Sequence, residues 1–311
     1  MWKAGDGMVV VDQDIFNISW IMDDNVKNVQ GALQLRSGVP TALFLHGAGQ
    51  TQCTFAATFM HLKKLLGQNN LFDLNIVSMD LRGHGLSSTC DDFNLDKDIL
   101  VNDVINVLTS LTSGHSESHF IYLVGHSMGG AIACWIAQQL IQSSNSKLKV
   151  EGLYVMDIVE ELALESLEHS YSMISKRPTN FPSLDDAIAW SLSAGYIQNG
   201  ESATYSVPAQ LNENNGTYTW KTDLTKTFSH WKGWFEGMSE LFVKLKLINK
   251  VILLAGTDRL DKTMMIGQMQ GKFKLVVFSQ VKLGHFVHED APEKTACSLY
   301  NFFARKQIFQ I

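Results

Sequence analysis

The run Ile121-Tyr122-Leu123-Val124-Gly125-His126-Ser127-Met128-Gly129-Gly130 constrains this chain more than any other stretch. An apolar segment of β type breaks there into Gly-X-Ser-X-Gly and continues as a helix. A serine hydroxyl is a poor nucleophile unless a base removes its proton and the backbone holds it clear of the sheet. A strand–turn–helix elbow does this with a turn so tight that both flanking positions must be small. Gly125 and Gly129 occupy those positions, and Gly130, Ala131 and Ala133 let the following helix lie close to the strands. Five residues alone would describe any glycine-rich turn. A strand before and a helix after are what the motif requires, and the chain supplies both.

The surrounding pattern agrees with that fold. Thr41 to Leu45, Leu74 to Met79, Gly152 to Met156, Val251 to Leu254 and Leu275 to Phe278 read as short strands. From Asp98 to Leu111 the apolar residues Val101, Val104, Ile105, Leu108 and Leu111 recur at helical spacing, which predicts a crossover helix with one buried face. Strands alternating with helices imply an α/β fold with a mostly parallel sheet covered on both faces. Residues 1–40 alternate weakly and are expected to form an antiparallel edge hairpin, with Asp23-Asp24-Asn25 as its turn. A terminal helix is expected from about Pro292 to Arg305.

Between 158 and 246 the pattern changes. Continuous apolar strands stop, the aromatics Trp190, Trp220, Trp231, Trp234 and Phe235 crowd together, and Pro182-Ser183 before Asp186 reads as a helix start. Leu211 to Gly216 is polar and turn-rich. This stretch is expected to be a helical cap, inserted between a first core part, 1–157, and a second, 247–311.

Composition narrows the function classes. Net charge is −6, from 25 basic and 31 acidic residues without a long run of either sign, which argues against a nucleic-acid partner. Cys53, Cys90, Cys134 and Cys297 lie far apart without metal-ligand spacing and read as reduced, mostly buried thiols of a cytoplasmic or nuclear protein. No stretch approaches the ~18 apolar residues of a membrane span, and the start does not read as a signal peptide. The sequons at Asn17 and Asn215 are accordingly read as chance.

A serine hydrolase also needs an oxyanion site, a base and an acid. His46-Gly47-Ala48-Gly49 follows an early strand and offers the Ala48 N–H, with the Met128 N–H as its partner beside the nucleophile. His285, in Leu283-Gly284-His285-Phe286 after the last strand, is the expected base, ahead of His288 three residues on. His84 and His126 come too early in the Ser, acid, His order. For the acid, Asp157 and Asp258 each follow a strand and precede His285, and spacing does not choose between them.

The chain resembles the protein phosphatase methylesterases, a family of α/β-hydrolases. The likeness extends over nearly everything from about residue 40. It is carried by Gly125-His126-Ser127-Met128-Gly129-Gly130-Ala131, Met156-Asp157-Ile158-Val159-Glu160 and Trp231-Lys232-Gly233-Trp234-Phe235. Its narrowest segments are Arg259-Leu260-Asp261-Lys262 and Gly267-Gln268-Met269-Gln270-Gly271-Lys272-Phe273, with Gly284-His285-Phe286-Val287-His288-Glu289-Asp290-Ala291-Pro292 near the end. The resemblance implies a Ser127–Asp157–His285 triad, with Asp157 preferred to Asp258. It implies removal of the methyl ester from the C-terminal leucine of the protein phosphatase 2A catalytic subunit, the expected partner, without metal or organic cofactor. An esterase for small-molecule or lipid esters, or a non-catalytic phosphatase-binding protein, are the rival readings. Two departures stand out. Glu161 replaces the glycine usual after Val-Glu, which is expected to alter the wall of the leaving-group pocket, and the family's long acidic cap loop is replaced by the short 211–216 segment.

Overall fold

The central strands read as apolar runs because each is buried on both sides, consecutive residues leaving to opposite faces. In the computed structural model, which describes residues 5–21, 26–29, 32–69, 71–143, 146–256, 259–279 and 283–305, the first strands are β1 (Gly5–Val11), β2 (Asp14–Trp20), β3 (Val26–Val29), β4 (Ala32–Leu35), β5 (Thr41–Leu45) and β6 (Asn75–Met79). Then come β7 (His119–His126), β8 (Leu148–Met156), β9 (Asn180–Phe181), β10 (Leu211–Asn214), β11 (Thr217–Trp220), β12 (Asn249–Ala255) and β13 (Lys274–Phe278). The helices are α1 (Ala56–Asn69), α2 (Lys97–Leu111), α3 (Met128–Gln142), α4 (Glu160–Ser175), α5 (Leu184–Ser193) and α6 (Gly200–Ala209). They continue with α7 (Phe228–Phe235), α8 (Met238–Lys244), α9 (Lys262–Met269), α10 (Val287–Asp290) and α11 (Pro292–Ala304).

Among the described residues eight strands form one sheet, in the order β1-β2-β6-β5-β7-β8-β12-β13. Every pairing from β6 to β13 is parallel, and the β1–β2 hairpin adds to β6 antiparallel. Leu43 and Leu45 of β5, with Leu123 of β7, Val155 of β8 and Ile252 of β12, enter a core shared with α2 and α3. Their neighbours Phe44, Val124, Met156 and Leu253 enter a second core on the other face, with α1 and α11. The edge hairpin turns at Asp12-Gln13, with Asp12 at φ 53°. The turn expected at Asp23-Asp24-Asn25 lies outside the described residues, and β3 and β4 pair separately.

From β5 the chain adds β6 on one side and then returns to place β7 on the other. Such a switch leaves a crevice at the carboxyl ends of β5 and β7, where ligands of open α/β sheets bind. The segment between β8 and β12 carries α4 to α8 and has its own apolar cluster, which includes Phe181, Ala187 and Val207. It is not purely helical. The polar stretch at 211 is strand β10 of an antiparallel β10-β11-β9 sheet, turning through Asn215-Gly216, both at positive φ.

Candidate active site

Ser127 sits between β7 and α3 at φ 51° and ψ −122°, a backbone conformation that side chains rarely adopt. The surrounding glycines explain how the turn closes. A Cβ on Gly125 would stand 2.2 Å from the Gly129 carbonyl oxygen, and one on Gly129 2.3 Å from that of Leu45. Gly130 N–H donates to the Ser127 carbonyl (2.9 Å), and Ser127 N–H donates across to Met156 (3.0 Å). The serine hydroxyl makes no capping bond to its own helix.

His285 Nδ1 donates to Asp157 Oδ2 at 2.9 Å. Asp157 also has positive φ, 51°, directly after β8. Its N–H donates to the Leu253 carbonyl, and its Oδ1 accepts the Ala255 N–H, both at 2.7 Å. The carboxylate is therefore fixed by the end of β12 while its second oxygen orients the imidazole. Asp258, the other candidate acid, lies outside the described residues. The His285 side chain is 46 % exposed, against 17 % for Asp157, so the ring keeps a face open to substrate.

The loop after β5 is held by two buried histidines. His46 Nδ1 donates to the Gly47 carbonyl (2.8 Å) and its Nε2 accepts the Leu81 N–H (3.0 Å). His84 donates to the Arg82 carbonyl (2.7 Å) and accepts the Gly49 N–H (2.9 Å). Burial lowers their pKa values to about 4 and about 3, so each ring stays neutral with one donor and one acceptor. Gly47 N–H donates to Gln50 Oε1 (3.1 Å) and Gln50 N–H to the Gly47 carbonyl (3.1 Å). Among the described residues the Ala48 and Met128 amides have no protein acceptor, and both residues line the same cavity as Ser127 and His285. Two free, fixed N–H groups are what a developing oxyanion requires.

Behind the base lies a polar network that motif reading did not find. His126 stacks near both His285 and His288, at centroid distances of 4.7 and 4.5 Å. Its two nitrogens face the His285 carbonyl and Gln50 Oε1, each at 2.9 Å. Burial holds it neutral, so its single N–H serves one of these acceptors at a time. The Gln50 amide donates to Thr54 Oγ1 (2.7 Å) and Glu289 Oε1 (2.8 Å), and Thr54 also donates to Glu289. Full burial raises the Glu289 pKa to about 8, which keeps the carboxyl protonated at neutral pH. His288 is buried against Thr54 Oγ1 (2.7 Å), and burial lowers its pKa to about 3. Asp290 fastens the same loop, accepting the Gly284 and Gln198 N–H groups at 2.7 Å each. These partners come from segments far apart in the chain, so no local spacing announces them.

The cavity over Ser127 holds about 370 Å³. Trp231, Trp234 and Phe235 line it and are 4 %, 1 % and 6 % exposed, which makes them interior walls and not an outward surface. Glu161 is exposed and is not among the lining residues, so it does not alter the pocket wall; Ile158 and Ala163 form that part. Among the described residues no cluster of three or more metal-ligating side chains occurs, and no helix is long and apolar enough to cross a membrane. The cysteines are not mostly buried as expected: Cys134 alone is, on the packed face of α3, while Cys53 is partly covered and Cys90 and Cys297 are exposed.

Residues 42–296 match the model of the alpha/beta hydrolase family. Protein phosphatase methylesterase 1 of Yarrowia lipolytica is 37% identical, over 96% of this chain and 70% of its own length. A probable protein phosphatase methylesterase 1 of Caenorhabditis elegans is also 37% identical, over 96% and 75%, and that of Bos taurus is 35% identical, over 86% and 78%. Among solved structures, E-2-(acetamidomethylene)succinate hydrolase superposes with a TM-score of 0.74 at 16% identity, covering 97% of this chain and 99% of that one, a likeness of fold. The chain is a hydrolase of the alpha/beta hydrolase family and belongs within it to the protein phosphatase methylesterase 1 group.

Proposed function

We propose that this protein is a serine methylesterase that removes the methyl ester from the C-terminal leucine of the protein phosphatase 2A catalytic subunit. The observation that carries the chemistry is the Asp157–His285 hydrogen bond of 2.9 Å beside a strained Ser127, in one cavity with two unpaired amides. The names of the relatives carry the substrate.

His285 Nε2 takes the proton of Ser127 as Oγ attacks the ester carbonyl. Asp157 holds the imidazole in the Nδ1–H tautomer and stabilises the imidazolium that forms. Ala48 and Met128 N–H groups stabilise the tetrahedral oxyanion. Methanol leaves with the proton from His285, and water then hydrolyses the acyl-enzyme by the reverse proton path. His126 stands against His285, with His288 behind it, and burial keeps both neutral, so they add no charge near the transient imidazolium. The leaving group is tiny, so selectivity rests on the acyl side, which fills the cavity under α4 to α7. A cytoplasmic or nuclear location completes the reading, since the four cysteines are free and such thiols stay reduced in those compartments.

Incubation with methylated phosphatase catalytic subunit tests it. Wild type is expected to release methanol and to be labelled at Ser127 by a fluorophosphonate. Turnover of a simple aryl ester with no loss of the protein methyl ester would leave a small-ester hydrolase instead.

A further inference from the structure

Arg177 lines the active-site cavity at the far end of α4, and it is the one Lys or Arg among the described lining residues. Its guanidinium lies over the Trp220 ring, 4.4 Å from the centroid, and its Nη2 donates to the Thr222 carbonyl at 2.9 Å. These contacts fix the fork flat and leave most of its five N–H donors unused. Among the described residues no carboxylate lies within ion-pair distance of it. Tyr196, a neutral phenol of the cavity wall, and Asp223 act on it only through space, and the Asp223 carboxylate is engaged by Lys226 (3.4 Å) and by the Thr225 hydroxyl (2.6 Å). The acidic residue lining the cavity, Glu289, is buried with its carboxyl protonated at neutral pH, as its pKa of about 8 requires. Among the described lining residues no ionised carboxylate neutralises this positive charge, which lies inside walls made largely of tryptophan, phenylalanine and aliphatic side chains. A half-buried cation without a counter-ion loses hydration and regains little from the protein, unless a ligand supplies the anion.

We propose that Arg177 is a substrate-binding residue that takes an anionic group, a carboxylate, on the acyl side of the ester. The apolar stem of the acyl part then spans from Ser127 to Arg177. For a peptide substrate the carboxylate is an acidic side chain upstream of the esterified terminus. The inference rests on the reading that Ser127 attacks an ester whose acyl part fills this cavity.

The test uses binding and not turnover, so it is separate from the demethylation assay. Ser127→Ala protein is titrated with monomethyl esters of straight-chain dicarboxylic acids and with the dimethyl esters of the same lengths, reading tryptophan fluorescence, to which Trp190, Trp220, Trp231 and Trp234 of the cavity wall contribute. At the length that fits best, the monoanion is expected to bind about 10-fold or more tighter than its neutral counterpart, an ion-pair preference that weakens with salt. Adding Arg177→Gln should bring that ratio to about 1, and Arg177→Lys should retain part of it. Equal binding of the two series at every length, or a preference that survives Arg177→Gln, overturns the proposal. Loss of the preference in Arg177→Lys to the same extent, with a collapsed thermal transition, would make Arg177 a structural residue and overturn it too. Demethylation failing while the charge preference stands would instead remove only the methylesterase reading.

Discussion

Ser127 and Asp157 are both non-glycine residues at φ 51°, one after β7 and the other after β8. Holding a side chain there costs on the order of 1–3 kcal/mol and persists only where the surroundings enforce it. Ser127→Gly is therefore expected to raise the free energy of unfolding by roughly 1 kcal/mol in urea titration while abolishing activity; a destabilised variant would show that the turn stores no strain. Glu289 makes a second prediction. Its pKa is about 8 folded against an ordinary 4.5. The folded chain therefore binds more protons between those values, and stability falls as pH rises through that window. Glu289→Gln removes that slope, so the stability difference between about pH 5 and about pH 8 should shrink in the variant. An unchanged difference contradicts a protonated Glu289. At this scale Ser127 and His285 were legible because each sits in a local signature, Gly-X-Ser-X-Gly or Gly-His. His126, Gln50 and Glu289 were not, because what defines them is mutual contact across the chain, from 76 positions for His126–Gln50 to 239 for Gln50–Glu289. The acid was open from spacing alone, since both aspartates follow strands; the hydrogen bond to His285 is what Asp157 contributes.

Elements were legible in proportion to their burial. β5 reads as an apolar run from Ala42 to Leu45 because its whole length is buried, and α2 begins within a residue of its expected start because Asp96 accepts the Asp98 N–H as its cap. Strand β10 escaped because three of its four residues are exposed and polar, so neither alternation nor an apolar run marks it. Lys250 supplies a device that pattern reading also misses. Its Nζ, buried beneath α8, donates to the carbonyls of Phe242 (2.6 Å), Val243 (3.3 Å) and Leu245 (2.6 Å), groups that the helix end leaves without partners. Lys250→Met keeps the stem volume but strands those carbonyls, so it should cost about 1–3 kcal/mol in denaturant unfolding. A neutral substitution would mean that water satisfies them equally well.

At the scale of the molecule, one sheet switch and one insertion account for the site. β5 and β7 bring the Ala48 and Met128 amides to the same end of the sheet, while β8 and β12 together hold Asp157. The loop after β13 delivers His285, tied to the inserted segment through Asp290 and Gln198. The inserted helices then close an apolar cavity of about 370 Å³ over the serine. The function we propose requires Ser127, His285 and Asp157 to act together on a protein methyl ester. The most direct measurement is the rate of methyl-ester loss from methylated phosphatase 2A catalytic subunit, with wild type, Ser127→Ala, Asp157→Asn and Asp258→Asn side by side. The account predicts loss of activity by about 10⁴-fold or more for Ser127→Ala and by a comparable factor for Asp157→Asn, with Asp258→Asn close to wild type. Severe loss in Asp258→Asn with near-normal Asp157→Asn would contradict it.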